Sequence, residues 1–445
     1  MHARRDEGSA SDESHVARGE SAADDEPARI TCPLPCAGVE PLRRVVIVGS
    51  SLAGLRACET LRQGGFDGGI VLVGSERHPP YDRPPLSKKV LQGEWELDRI
   101  HLRKPEALAD LGLDERFGET AVALDLSDAE RGGTVVLESG ERIAGDAVVI
   151  ATGSRPRLLP DQPRDAHVLR CIEDSIALRQ AFAGGGRQVC LVGAGFIGLE
   201  AAAAARMAGN DVTVLEALDA PMSRAFGAEV GWAMAAMHED EGVSIRTRVV
   251  VAGFEPGAVV LGDGTRLAAD VVLVGIGAAP VTEWLQGSGL TLADGVLVDA
   301  DLRTERPGVY AAGDVARWPN GRFGGEVMRV EHWTNAAEQG AVAASNVLAE
   351  ASGEPVQPYQ PVPFVWSDQY RHRIQYLGHA RGDDEVEIAV GSAADRRFVA
   401  LYSRAGRLRA AAGLNSPRHV MPYRALLERG AGIDEARALA ASQAV

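Results

Sequence analysis

One run of thirteen residues limits the fold more than any other: Gln188-Val-Cys-Leu-Val-Gly-Ala-Gly-Phe-Ile-Gly-Leu-Glu200. Val189 to Val192 is a short apolar run of the kind a buried parallel strand requires. Gly193, Gly195 and Gly198 then follow as G-x-G-x-x-G, and the Ala-rich stretch Leu199 to Ala208 is helical by composition. Each glycine has a separate task. The first permits a tight turn, the second lets backbone approach a pyrophosphate, and the third lets helix and strand pack closely. The helix start then presents free N–H groups and the positive end of its dipole to the phosphates. A second strand, Asp211 to Leu215, ends on Glu216, whose carboxylate accepts hydrogen bonds from a ribose diol and repels a 2′-phosphate. Ala217 and Leu218 supply no arginine clamp, so NADH is expected over NADPH. A glycine motif alone is often a mere turn. Here strand, glycines, helix, strand and terminal acid fall in the required order.

The 445-residue chain has room for two or three domains. Apolar strands alternate with Ala-rich helices, which makes the fold class α/β. Net charge is −16, which argues against nucleic acid and against an acidic membrane as partner. Part of that charge is local: residues 1–40 hold nine acids against four bases. That stretch lacks apolar periodicity and a signal-peptide core, so residues 1–41 are expected to be a disordered acidic tail and the location cytoplasmic. Within it Cys32 and Cys36 form a C-x-x-x-C pair. No further Cys or His lies nearby to complete a tetrahedral site, so two thiols in a Pro-rich linker are expected and no metal.

A second nucleotide unit opens earlier, at Arg44-Val-Val-Ile-Val-Gly49. Its turn, Gly49-Ser-Ser-Leu-Ala-Gly54, has Ser51 where the middle glycine belongs; a side chain there crowds a pyrophosphate unless it points away. A helix from Leu55 to Gln63 and a strand from Ile70 to Val73 follow, and Glu76 suits a second ribose. Two dinucleotide folds in one chain imply two nucleotides, and hydride transfer between a nicotinamide and a flavin accounts for both. Three further strand-and-turn segments agree: Ala147 through Ala151-Thr152-Gly153, Val271 through Gly277, and Val309 through Gly313-Asp314. An Asp at such a helix start hydrogen-bonds a ribityl chain.

With these residues in place the chain resembles the FAD-dependent, NADH-linked ferredoxin reductases, the type of putidaredoxin reductase and of the reductase components of ring-hydroxylating dioxygenases. Tyr81-Asp-Arg-Pro-Pro-Leu-Ser-Lys88, the Ala151-Thr-Gly153 run and Tyr310-Ala-Ala-Gly-Asp314 carry the likeness, with Val330-Glu-His-Trp-Thr-Asn335 and Val365-Trp-Ser-Asp-Gln369. It extends from about residue 42 to the mid-420s. The resemblance implies an FAD domain at 42–157 and 291–360, an inserted NAD-binding domain at 158–290, and a C-terminal α/β domain at 361–445. It implies a charge pair of Lys88 and Glu200 beside the flavin, with Trp333 against the ring. Arg83, Ala53, Val122, Arg155 and Asp314 are implied FAD contacts, alongside Gly49, Gly54, Glu76, Ala151, Thr152, Gly153 and Gly313. In the second unit the cofactor-binding residues are Gly193, Gly195, Gly198, Glu216 and Gly277. The implied partner is a small acidic 2Fe–2S ferredoxin, for which Arg317, Arg322, Arg371 and Arg373 are candidate docking residues.

Three rivals share much of this architecture. A disulfide reductase needs a redox Cys near the first unit, and residues 75–100 contain none. A rubredoxin or nitrite reductase component has much the same core. A redox-sensing binding protein, resembling apoptosis-inducing factor, instead holds its reduced flavin–NAD complex and turns over poorly. The chain leaves open the terminal oxygenase and whether it is a monomer or a weak dimer.

Overall fold

A computed structural model describes residues 41–127 and 129–443. The expected tail and its Cys32 and Cys36 lie outside them, apart from residue 41. The first unit is built on β1 (Arg44–Val48), whose four apolar residues are at most 2% exposed. The chain passes through α1 (Leu52–Gln63) to β2 (Gly69–Gly74), which pairs with β1 in parallel, Val45 opposite Ile70. β3 (Asp114–Phe117) extends the sheet beyond β2, and β4 (Ala147–Ile150) flanks β1 on the other side. A strand from far along the chain, Val309–Ala311, pairs with β4 and completes five strands. A strand with neighbours on both sides and helices over its faces has no polar side, which is why these runs are continuously apolar.

The second unit repeats the plan. β5 (Gln188–Val192), α2 (Phe196–Met207) and β6 (Asp211–Leu215) form the same strand–helix–strand step, with β5 and β6 parallel. β7 (Val271–Val274) flanks β5, and Ser244–Arg246 pairs with β6. Each unit carries a three-stranded antiparallel sheet just before its last central strand, at Ala121–Gly145 and Val251–Ala268. The ends of β4 and β7 are tied together where Ser154–Pro156 pairs with Ala278–Pro280. That link brings both glycine turns to one cleft.

Both helices start three residues earlier than composition predicts, at Leu52 and Phe196. The third glycine of each motif therefore lies inside the helix, in its first turn, where close packing on the preceding turn demands it. α3 (Trp333–Ser352) lies against α1 with almost no separation: a Cβ on Gly340 would sit 2.2 Å from the Ala53 carbonyl oxygen. The C-terminal part is a five-stranded antiparallel sheet that opens with β8 (Phe364–Gln369) and carries the helix Ile433–Gln443 among its coverings. Among the described residues no helix is long and apolar enough to cross a membrane.

Candidate active site

The two glycine turns have nearly the same shape. Gly49 (φ 122°) and Gly193 (φ 104°) adopt backbone conformations closed to other residues, and an added Cβ would lie 2.0 Å from the Ala151 oxygen and 2.3 Å from the Gly275 oxygen. Gly54 and Gly198 face the carbonyls of Gly49 and Gly193, at 1.9 and 2.2 Å from such a Cβ. The middle positions differ. A Cβ on Gly195 meets nothing within 4 Å. At Ser51 the side chain is held by Arg83, whose Nε donates to its Oγ at 3.3 Å. Neither α1 nor α2 has a side-chain cap, so their first-turn N–H groups remain open for an anion.

The turns open onto a cleft of about 750 Å³. Ala53, Arg83, Lys88, Ala151, Gly153 and Asp314 line it from the first unit, and Gly195, Glu200 and Gly277 from the second. Gly313 and Trp333 line it near the start of α3. The other candidates stand behind or away from the wall. Gly49, Gly54, Gly193 and Gly198 are the turns themselves. Thr152 Oγ1 donates to the Val281 carbonyl at 2.8 Å, bracing the link between the units. Arg155 is half exposed and paired with Glu283. Val122 is 46% exposed on the strand Ala121–Asp125. Glu76 accepts from Tyr81 and Arg83, so its carboxylate also organises the loop that carries Lys88. Glu216 accepts from the Ala194 amide at 2.8 Å and the Leu218 amide at 2.9 Å, locking the second turn. An arginine does reach this turn: the Arg248 amide donates to the Leu218 oxygen, but its guanidinium pairs with Asp219 at 2.8 Å.

The centre of the cleft is an ion pair between the units. Lys88 Nζ lies 2.7 Å from Glu200 Oε1, with side chains 14% and 6% exposed. The 3₁₀ turn Pro84–Ser87, rigid by its prolines, positions Lys88; the start of the second turn of α2 positions Glu200. Ser87 Oγ donates to Glu200 Oε2, and Ser367 Oγ, from β8, donates to Oε1 at 2.5 Å. A buried charge pair is costly unless further hydrogen bonds serve its lone pairs, and here two serine hydroxyls do so. Trp333 Nε1 donates to Asp82 Oδ1 at 2.7 Å, and its ring meets Trp366 edge-on at 6.2 Å. Burial pushes the Asp82 carboxyl up, against the opposing pull of the indole hydrogen bond and of Lys88. Asp314 accepts from Ser154 at 2.8 Å and from Arg170 at 3.3 Å. Sequence reasoning missed Asp82, Ser87, Arg170 and Ser367. Asp82, Ser87 and Ser367 stand within the very motifs it singled out.

The residues present fit FAD and a nicotinamide dinucleotide. Open helix amides and the open space over Gly195 are what pyrophosphate binding requires, and Arg83, Arg170 and Arg329, each paired with a carboxylate, line the same cleft with Arg224. Among the described residues no cysteine lines the cleft. Cys58 and Cys190 are buried, and burial pushes the Cys171 and Cys190 thiols up to about 12, away from the thiolate form. Of the expected docking arginines, Arg317 donates to the Ala293 carbonyl at 2.7 Å and Arg322 to the Gln360 carbonyl at 2.9 Å. Arg373 is offset by Asp368 at 2.7 Å, and Arg371 is exposed in the hairpin turn after β8.

Comparison with known proteins places these features. Residues 43–340 match the pyridine nucleotide-disulphide oxidoreductase family, and residues 364–445 match the reductase C-terminal family. The chain is 38% identical to the biphenyl dioxygenase system ferredoxin–NAD(+) reductase component of Paraburkholderia xenovorans, over 84% of this chain and 90% of that one. It is 34% identical to putidaredoxin reductase of Pseudomonas putida, over 84% and 89%. Among solved structures, the covalent putidaredoxin reductase–putidaredoxin complex superposes with a TM-score of 0.83 at 30% identity, over 91% of this chain and 99% of that one.

Proposed function

The chain belongs to the pyridine nucleotide-disulphide oxidoreductase family, and on that premise we propose that it carries electrons from NADH through FAD to a 2Fe–2S ferredoxin serving an oxygenase, haem or Rieske. The observation that carries this reading is the Lys88–Glu200 pair, buried where the two nucleotide units meet, in a cleft lined by no thiol among the described residues. The family's name includes disulphide chemistry, and among the described residues no cysteine lines this cleft to perform it.

FAD, when bound, supplies the conversion between a two-electron hydride donor and a one-electron iron–sulfur acceptor. The chain supplies the rest. The amides of α1 and α2 would hold the two pyrophosphates, and Asp314 would be the acceptor for a ribityl hydroxyl. Glu216 would accept from the adenosine ribose of NADH and repel a 2′-phosphate. Lys88 places a positive charge at the centre of the cleft, where negative charge develops during hydride delivery. Glu200 holds that ammonium in place. Trp333, fixed by Asp82, forms an aromatic wall that orients the nicotinamide and excludes water. We divide the chain accordingly into an FAD part at 42–157 and 291–360, a NAD part at 158–290 and a C-terminal part from 361. The pairing of Val309–Ala311 with β4 supports that division. A cytoplasmic setting, where NADH is available, belongs to the same proposal.

The test is NADH-dependent reduction of cytochrome c by the purified holoprotein, with and without 2Fe–2S ferredoxins of dioxygenase and haem-monooxygenase systems. Fast reduction only when a ferredoxin is present supports the reading. Slow reduction with every ferredoxin, with a persistent reduced-flavin–NAD complex, supports the sensor instead.

A further inference from the structure

Glu200 does not end at Lys88 and its two serines. Ser367 Oγ accepts from Gln369 Nε2 at 3.1 Å, Gln369 Oε1 meets His238 Nε2 at 2.8 Å, and His238 Nδ1 meets the Tyr370 hydroxyl at 3.2 Å. His238 comes from the helix Ser223–Asp240 of the second unit; Ser367 and Gln369 come from β8 of the C-terminal part. His238, Ser367 and Gln369 are at most 1% exposed, so water does not substitute for any of these partners.

The direction of every bond follows from the carboxylate outward. Glu200 Oε1 accepts only, so Ser367 donates to it. Ser367 Oγ then accepts, which turns the Gln369 amide N–H toward it and the amide oxygen toward His238. That oxygen needs a donor, so His238 carries its proton on Nε2. Nδ1 is therefore an acceptor, and Tyr370 donates to it. Burial pushes the His238 pKa down to about 4, in keeping with a neutral ring.

We infer that Ser367, Gln369 and His238 are positioning residues for electron entry: a one-way chain of donors, ending on Glu200, that fixes its carboxylate against Lys88. The inference rests on the reductase reading, in which that pair stands beside the flavin. The chain joins segments from the second unit and the C-terminal part and, through Glu200, reaches Lys88 of the first unit, and aligned donors polarise one another toward the anion at its end. Glu200 then holds the Lys88 ammonium in one place.

Two measurements on the holoprotein test this. Nitrogen-15 spectra of the imidazoles should show His238 as the neutral Nε2–H form; its resonance is identified by its loss in His238→Phe or, if that variant does not fold, by its shift in Gln369→Met. A His238 protonated on Nδ1 would reverse the chain and overturn the inference. Stopped-flow reduction of the flavin by NADH should be about tenfold slower in Ser367→Ala, which removes a donor to a charged group, and roughly threefold slower in Gln369→Met. The NADH concentration for half-maximal rate should stay within about twofold, because the chain acts on the step and not on binding. In a Glu200→Gln background, Gln369→Met should add nothing, since both act through one carboxylate. Additive losses, or unchanged rates in both single variants, would overturn the inference while a wild type reduced normally by NADH keeps the reductase reading. A wild-type flavin that NADH does not reduce would remove that reading and this inference with it.

Discussion

The two nucleotide units share a backbone and differ in how they treat the middle of the turn. At the first and third glycines they are interchangeable: each forbids a Cβ by approaches of 1.9 to 2.3 Å to a carbonyl oxygen. At the middle position the second unit needs a glycine that faces open space. The first tolerates Ser51 because Arg83 holds its hydroxyl aside. The terminal acids differ in parallel. Glu216 braces its own turn through two amides, whereas Glu76 braces the loop that delivers Lys88. The first and third glycines answer to backbone packing within the turn. The middle residue answers to the ligand and to whatever neighbour shares its space.

The largest effect should come from Gly54→Ala. Its Cβ would meet the Gly49 oxygen at 1.9 Å, and overpacking against backbone costs about 3 kcal/mol or more. The variant should lose FAD and melt well below wild type, whereas Gly195→Ala, with nothing within 4 Å, should keep both its melting temperature and its flavin. Equal destabilisation by the two would break the comparison.

Next is Lys88→Ala, which strands the Glu200 carboxylate between units. Loss of a preorganised charge at the reacting centre slows flavin reduction by NADH by roughly a hundredfold. Stopped flow measures it, and a wild-type rate would remove Lys88 from the mechanism. A smaller effect distinguishes the middle positions. Gly195→Ser has no Arg83 to draw its hydroxyl aside, so the KM for NADH should rise about tenfold, as for a lost pyrophosphate contact, while Ser51→Gly should leave FAD bound. The smallest is Glu216→Gln: the KM for NADH should rise severalfold and the preference over NADPH should shrink. Unchanged preference would locate discrimination elsewhere, with Arg248 and Asp219 the nearest charged pair.

Much of the scaffold was legible because it is local. The glycines recur at the same spacing in both units, each set follows an apolar strand, and an acid comes shortly after each second strand. The meeting of Lys88 with Glu200 was legible by a different route, through a family likeness and not through spacing. What escaped were contacts between distant segments. Ser367 reaches Glu200 across 167 positions and Trp333 reaches Asp82 across 251. A hydroxyl or carboxylate has no periodicity that announces such a partner. Val122, taken over from a family pattern, is 46% exposed on a strand of the first unit and is not among the residues that line the cleft.

The most direct measurement of electron flow is a double-mixing experiment. Flavin reduced by one equivalent of NADH is mixed with an oxidised 2Fe–2S ferredoxin, and the loss of reduced flavin is followed beside the gain of reduced iron–sulfur centre. A ferredoxin reductase returns its flavin to the oxidised state at a rate no slower than turnover, with two ferredoxins reduced for each NADH. A flavin that stays reduced in complex with NAD while the ferredoxin remains oxidised would contradict the account.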